Sequence, residues 1–583
     1  MNRLYGVIVI DLLCFAIFIA LALAGRKAID EDSTYNPSEP VRTGTVSGNG
    51  KLKPRRGGRE LRLALDTEPP TLDPISIADT FSDGVASKVY NKLVCTRITD
   101  KGLLDTIPDL AESMPEISNN NTLYTFKLRK NVHFHNGREM KASDVVYSLK
   151  RLLSPMSKRA DLMFPFVKGS KAYYDANKPD EIMHDDPNLG IKAIDDYTVA
   201  IELEQPFAPF MYHLSTISCA VIPKEAAEDK THIFSRWPVG TGPFKMVEWA
   251  SNQHLLFKRN DDYFGGKVKL EGLRFLIYKD RTLHLENFMA GELDAAIIPN
   301  GHVHSAEADV GSENILVSEA MRTNYVGIGM PNGKFKDKAD LKPFGTDKRL
   351  RQAMSYALDR EYICKKIMEG RSIPAYGILP PGMKGFNKNR PVMVKNLAKA
   401  RDLLTQAGYP NGKGLPAISM LYRNDEDTKN ICQAIQHDFE QIGIRVELQP
   451  QEWSRFLESV ENAPQAMFYL GWVADYPDPD NFLYVLFNSK QWGSAGNHTW
   501  YSNKDVDALT EKARTLTDMS ERAKIYERVE DIVLDESPWI CTVHALNKVL
   551  LRSEIKGIRG HVTPLDTGTE FPQVDFKDVE IER

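Results

Sequence analysis

What this 583-residue chain has little of narrows its function before any motif is found. A strong excess of either charge is missing: 74 basic against 79 acidic residues leave a net charge of −5. That balance offers no basic face for nucleic acid. Cysteine is scarce, and the six residues at 14, 95, 219, 364, 432 and 541 form no C-x-x-C pair. Neither a zinc site nor a redox dithiol is therefore written here, and a disulfide is left open with no legible pairing. Gly240-Thr241-Gly242 has no third glycine and runs into Pro243, which excludes a dinucleotide loop opening a helix. Gly408 to Lys413 resembles part of a phosphate loop, but it is one residue short and Gly414 stands where Ser or Thr is needed. No G-x-S-x-G and no H-E-x-x-H occurs, so hydrolase and metalloprotease chemistry lack support. We expect no enzyme and no cofactor.

What is present is the composition of an ordinary soluble protein, 42% hydrophobic and 26% charged with a mean hydropathy of −0.37. The chain is too long for one core, so two or more lobes are expected. Leu4 to Ala24 is apolar except for Asp11. As a helix it would span about 31 Å, close to a bilayer core and longer than a usual secretory apolar region. Ala22-Leu23-Ala24 before Gly25 also fits a cleavage site. Residues 1–27 are read as a signal-anchor, with a cleaved signal peptide as the alternative; Arg26 and Lys27 leave the orientation unsettled. Residues 28–58, rich in Ser, Thr, Pro, Gly and charge, read as a flexible tether.

Beyond the tether the patterning is α/β. Leu61–Leu65 alternates as a strand, Leu123–Arg129 does so again, and Asn136-Gly137 marks a turn. A helix is expected after Ser143. Gly240–Trp249 opens as a turn and continues as a strand. Helices follow over 347–363, around 398–407 and from Ile431 to Ile442, the last handing over to a strand at Arg445–Leu448. Two more occupy 504–535, and Trp539–Val549 returns as an apolar strand. His133 and His135 would share a strand face and could hold a metal, but no third donor is near, so none is expected.

The most informative stretch is Gly471-Trp472-Val473-Ala474-Asp475-Tyr476-Pro477-Asp478-Pro479-Asp480-Asn481-Phe482, which follows the apolar run Ala466–Leu470. A buried strand would carry Trp472 and Asp475 to its end, where the prolines force the chain out of regular structure. A carboxylate beside an indole face suits a cationic head group. The plainer reading is a strand-to-turn exit whose aspartates cap a short helix. A calcium loop is disfavoured by the spacing and the missing glycine.

Six stretches together carry a resemblance: YTFKLRKNVHFHNGREMKASDVVYSLKR (124–151), GTGPFKMVEW (240–249), RNDDYFGG (259–266), DKRLRQAMSYALDRE (347–361), AKARDLLTQAGYP (398–410) and GWVADYPDPDNF (471–482). Over about residues 60–575 the chain resembles the extracytoplasmic solute-binding proteins of peptide ABC importers, the dipeptide- and oligopeptide-binding group of family 5. The resemblance implies a two-lobe periplasmic-binding-protein fold of the hinged type II, with an extra subdomain in the first lobe. Lobe I would comprise 59–321, with the subdomain at about 100–230, and lobe II 322–538. Residues 539–583 would return to lobe I, with hinge crossings near Arg322–Tyr325 and Pro538. Asp475 would bind the ligand's ammonium, Trp472 and Trp453 would wall the pocket, and Ala78-Asp79-Thr80 would pair with the peptide main chain as an added strand. Arg423 would hold a carboxylate, although its match requires a one-residue gap. The implied partners are a peptide ligand and a permease–ATPase complex, with the N-terminal segment at the membrane, no nucleic acid and a monomeric state. The implied location is periplasmic or extracytoplasmic, anchored to the inner membrane through residues 4–24. Alternatives on the same fold are a nickel complex, haem, an oligosaccharide or a cell-wall peptide as cargo, or a membrane-tethered solute sensor.

Overall fold

The computed structural model describes residues 52–56, 58–98, 104–177, 185–299, 301–558, 576 and 578–582. The expected signal-anchor and most of the tether lie outside the described residues. Among the described residues no helix is long and apolar enough to cross a membrane.

The alternation of Leu61, Leu63 and Leu65 with Arg62 and Ala64 buries both faces of the strand Glu60–Leu65, since each face meets a different core. This strand lies parallel to Gly272–Ile277, and the sheet continues antiparallel through His254–Arg259 and Phe244–Ala250. Asp294, fully buried behind it, accepts hydrogen bonds from Arg62 and Arg55 at 2.8 Å. Lys53 and Arg56 donate backbone hydrogen bonds to Met289 and Gly291. Residues 52–56 are thus docked on the first lobe, and the expected tether ends earlier than residue 58. The run Lys53-Pro54-Arg55-Arg56 reads as solvated because its partner, Asp294, lies far along the chain.

A second antiparallel sheet, Glu116–Ser118, Leu123–Lys127, Thr198–Glu202 and Ile191–Asp195, packs its apolar face with helix Ala142–Leu152 into a core of its own. Beside it stands the hairpin of Val94–Ile98 and Leu104–Pro108.

The second lobe is built on a seven-stranded sheet. Its order is Ala295–Ile297, Trp539–Leu551, Ile315–Ile328, Met467–Val473, Ile418–Arg423 and Val446–Gln451, with Ser372–Pro374 added against 539–551. Two long strands join the lobes. Leu316 and Val549 pack in the first lobe's core, whereas Val326 and Ile540 pack in the second's. Between these ends the pairing of 315–328 with 539–551 slips, with a register shift between Glu319/Leu546 and Thr323/His544.

The continuous helix expected over 347–363 is broken. Helix Lys348–Ala357 stops at Leu358, and a new turn starts at Arg360, capped by the Asp359 carboxylate on the Tyr362 N–H. The break lets Arg360 turn inward, where its Nε donates to the carbonyls of Cys541 and Ala375 at 2.8 and 3.1 Å. Cys95, Cys219, Cys364, Cys432 and Cys541 are free and buried. Both ring nitrogens of His135 serve the fold: Nδ1 accepts from the Gly240 N–H and Nε2 donates to the Gly242 carbonyl. Burial lowers its pKa to about 4.

Candidate ligand-binding cleft

Strand Met467–Val473 and its neighbours 418–423 and 446–451 are parallel where they pair through 418–423, so their C-terminal ends share one edge of the sheet. Carboxyl ends of parallel strands are where open α/β sheets place ligands. At this edge lies a cavity of about 620 Å³, a volume within the range of small-molecule sites. The second lobe contributes Val473–Pro477, Asn481 and Arg514 to its lining. The first lobe contributes Ile77–Thr80, Arg159, Asp161, His213 and Ser215–Ser218.

Asp475 is fixed by one side chain. The Asn481 carbonyl oxygen accepts from the Trp472 indole N–H at 2.8 Å and from the Asp475 backbone N–H at 3.1 Å, and its amide donates to Asp475 Oδ2 at 3.1 Å. Asn481 sits in the short helix Asp480–Leu483, which the Pro477 and Pro479 turn folds back under the strand end. Asp475 Oδ1 has no hydrogen-bond partner among the described residues. The side chain lines the cavity and is exposed within it. Desolvation by the surrounding cavity walls raises its pKa above the ordinary carboxylate value, opposed by the Asn481 hydrogen bond and the positive charge of Arg159, while Asp161 adds to the rise. A cation entering the cavity would relieve that penalty.

The other aspartates of the motif are structural. Asp478 takes two 2.7 Å hydrogen bonds from Arg522, and Asp480 accepts from the hydroxyls of Tyr476 and Tyr526 and faces Arg514 at 3.1 Å. The expectation of simple capping holds only for Asp478 Oδ1, which accepts the Asp480 N–H at 2.9 Å.

Of the residues singled out by sequence, Ala78, Asp79, Thr80 and Asp475 line one cavity, and Trp472 stands next to it through Asn481. Ala78–Thr80 is not a strand: the backbone is extended at Asp79, and Asp79 then caps helix Thr80–Ala86 by accepting the Ser82 N–H at 2.8 Å. Trp453 and Arg423 do not line the cavity. Trp453 is 44% exposed and stacks on Phe456. Arg423 is drawn along the surface by Asp425 at 2.6 Å and lies 5.8 Å from the Trp453 ring. The pocket expected to unite both with Asp475 is not formed here, because Asp425, two residues on, captures the guanidinium locally.

Sequence reading missed Arg159, Asp161, the wall of His213 and Ser215–Ser218, and Asn481. Only Asn481 carried a signal, standing inside the motif itself.

The description "Bacterial extracellular solute-binding proteins, family 5 Middle" belongs to a family model that matches residues 105–494. Heme-binding protein A of Haemophilus influenzae is 28% identical over 494 residues, covering 82% of this chain and 86% of that protein. Oligopeptide-binding protein OppA of Bacillus subtilis is 29% identical over 551 residues, 92% and 96% of the respective chains. Among solved structures, the periplasmic binding protein DppA from Helicobacter pylori in complex with the peptide STSA superposes with a TM-score of 0.67. That pair shares 26% identity and covers 91% of this chain and 99% of the other. The two-lobe architecture, the cleft at the strand ends and these likenesses agree, and the chain belongs to the bacterial extracellular solute-binding proteins, family 5.

Proposed function

We propose that this protein captures short peptides in the cleft between its lobes and delivers them to the permease of an ABC importer. The observation that carries the reading is Asp475: a carboxylate exposed in the cavity wall, held by Asn481, with one oxygen left for a ligand. A free α-ammonium is the cation a peptide brings, and its charge-assisted hydrogen bond to Oδ1 would offset the burial of both charges. The peptide names of two of the relatives support this cargo. The extended backbone at Ala78 and Asp79 lies in the same cavity and offers main-chain groups to a peptide without regard to its side chains. The register slip between 319/546 and 323/544 is the natural hinge, since a bulge tolerates a change of twist that a regular ladder resists. Residues 4–24 belong to the same proposal as the export or anchoring segment.

One relative is named for haem, and a haem-like cargo is the second reading. It brings carboxylates but no ammonium, so it would leave Asp475 without a cationic partner, which disfavours it.

The test is calorimetric titration of ligand-stripped full-length protein with a di- to pentapeptide pool and the same pool N-acetylated. Free peptides should bind, and acetylation or Asp475→Asn should each lower affinity by about 10- to 100-fold, the worth of a charged hydrogen bond. Binding indifferent to acetylation removes Asp475 from the role. Silence from both pools with a spectral shift on adding haem selects the second reading.

A further inference from the structure

We infer that Arg159 receives the ligand's carboxylate, so that the cleft selects zwitterions whose ends reach from Asp475 on one lobe to Arg159 on the other. The inference rests on the peptide reading and deepens it. It replaces Arg423, which is exposed, paired with Asp425 at 2.6 Å and outside the cavity lining.

Three observations carry it. Arg159 and Asp475 line the same cavity from opposite lobes. Arg159 is also scarcely used by the fold. Its guanidinium makes one ion pair, Nε to Asp161 Oδ1 at 3.6 Å, beyond hydrogen-bond distance, and its terminal nitrogens make no hydrogen bond among the described residues. The other arginine of the cavity is spoken for: Arg514 lies 3.8 Å from the Tyr484 ring and 3.1 Å from Asp480. Finally, Arg159 is presented on a fixed loop. The Lys158 N–H donates to the Ile75 carbonyl at 2.9 Å and the Arg159 N–H to Ser157 Oγ at 3.1 Å, tying the loop to the segment that leads into Ala78–Thr80.

A planar guanidinium whose terminal-nitrogen edge is unused matches a carboxylate bidentately. Arg159 keeps part of its side chain in water here; a ligand that displaces this water leaves the guanidinium in need of a partner, which the ligand's own carboxylate supplies when the lobes are together. The same ligand's ammonium does this for Asp475. A molecule with both charges therefore favours closure from both sides, whereas one with a single charge leaves the other group uncompensated.

The experiment titrates full-length, ligand-stripped protein with a set of di- to tetrapeptides, each free, N-acetylated and C-amidated. It uses wild type, Arg159→Gln and Arg423→Gln, with thermal midpoints recorded to establish that each variant is folded. Amidation should weaken binding to wild type and to Arg423→Gln by about 10- to 100-fold. It should make little further difference to Arg159→Gln, which already binds free peptides that much more weakly. The inference is overturned if amidation weakens Arg159→Gln as much as wild type, or if the sensitivity to amidation disappears in Arg423→Gln instead. Free peptides that bind but ignore amidation overturn the assignment of Arg159 while leaving the peptide reading intact. If no peptide binds in any form, both fall together.

Discussion

Asp475, Asp478 and Asp480 are one residue type in one short motif, yet they meet three different environments. Asp475 opens into the cleft, Asp478 is sealed against Arg522, and Asp480 is ringed by tyrosine hydroxyls and Arg514. The sequence offers the three carboxylates but not their partners, because Arg514 and Arg522 lie on later helices with nothing to mark them. Truncating one member of a buried pair leaves the other charge uncompensated, at a cost of about 3–5 kcal/mol. Arg522→Met should therefore lower the unfolding free energy by about that amount, seen as a fall in the urea midpoint at unchanged slope. Adding Asp478→Asn to Arg522→Met should recover part of the loss. A fall below about 1 kcal/mol would mean that water reaches Asp478 and the pair is not sealed.

At the scale of elements, hydrophobic periodicity located most helices and strands, since each buries one apolar stripe or alternating face. It failed where a charged side chain turns inward. Arg360 looks like the polar face of a continuing helix, but it is 4% exposed and spends its nitrogens on three carbonyls and the Ser355 hydroxyl, so the helix breaks before it. Glycines show the same limit. Gly408 and Gly443 each follow the end of a helix, Leu397–Gln406 and Glu426–Glu440, and both have positive φ, +93° and +86°. A Cβ at Gly408 would meet nothing, whereas one at Gly443 would stand 2.0 Å from the Asn411 carbonyl oxygen. Gly408→Ala should cost about 1 kcal/mol for the left-handed backbone alone. Gly443→Ala should cost at least about 2 kcal/mol more, because backbone must move to admit it. Equal shifts in thermal midpoint for the two variants would show that the crossing of 411–412 over 443 relaxes freely.

For the whole molecule, the family was legible because its motifs are scattered along the chain in a fixed order, while the cleft's composition was not, because its walls come from distant segments. Lobe contacts show the same dependence on folding: the Ala208 N–H donates to the Arg514 carbonyl at 2.7 Å, and Lys384 pairs with Asp105 at 2.8 Å. Desolvation by the cavity walls also raises the pKa of Asp475, and this gives peptide binding a pH dependence of definite sign. A cationic ligand binds the ionised carboxylate, so below the raised pKa it must displace a proton, and affinity should fall towards tenfold per pH unit. Above that pKa affinity should level off, then decline once the ligand's α-amino group loses its proton near pH 8. His213, in the cavity wall, has its pKa lowered by burial to about 4 and could add an acid limb of its own. Asp475→Asn separates the two, since it keeps His213 and removes the competing carboxylate. Titrations from pH 4 to 9, repeated in buffers of different ionisation enthalpy, should show proton release on binding at the acid end for wild type and none for Asp475→Asn above pH 5. Affinity that rises as the pH falls towards 4 would mean that the bound group carries no positive charge to meet Asp475.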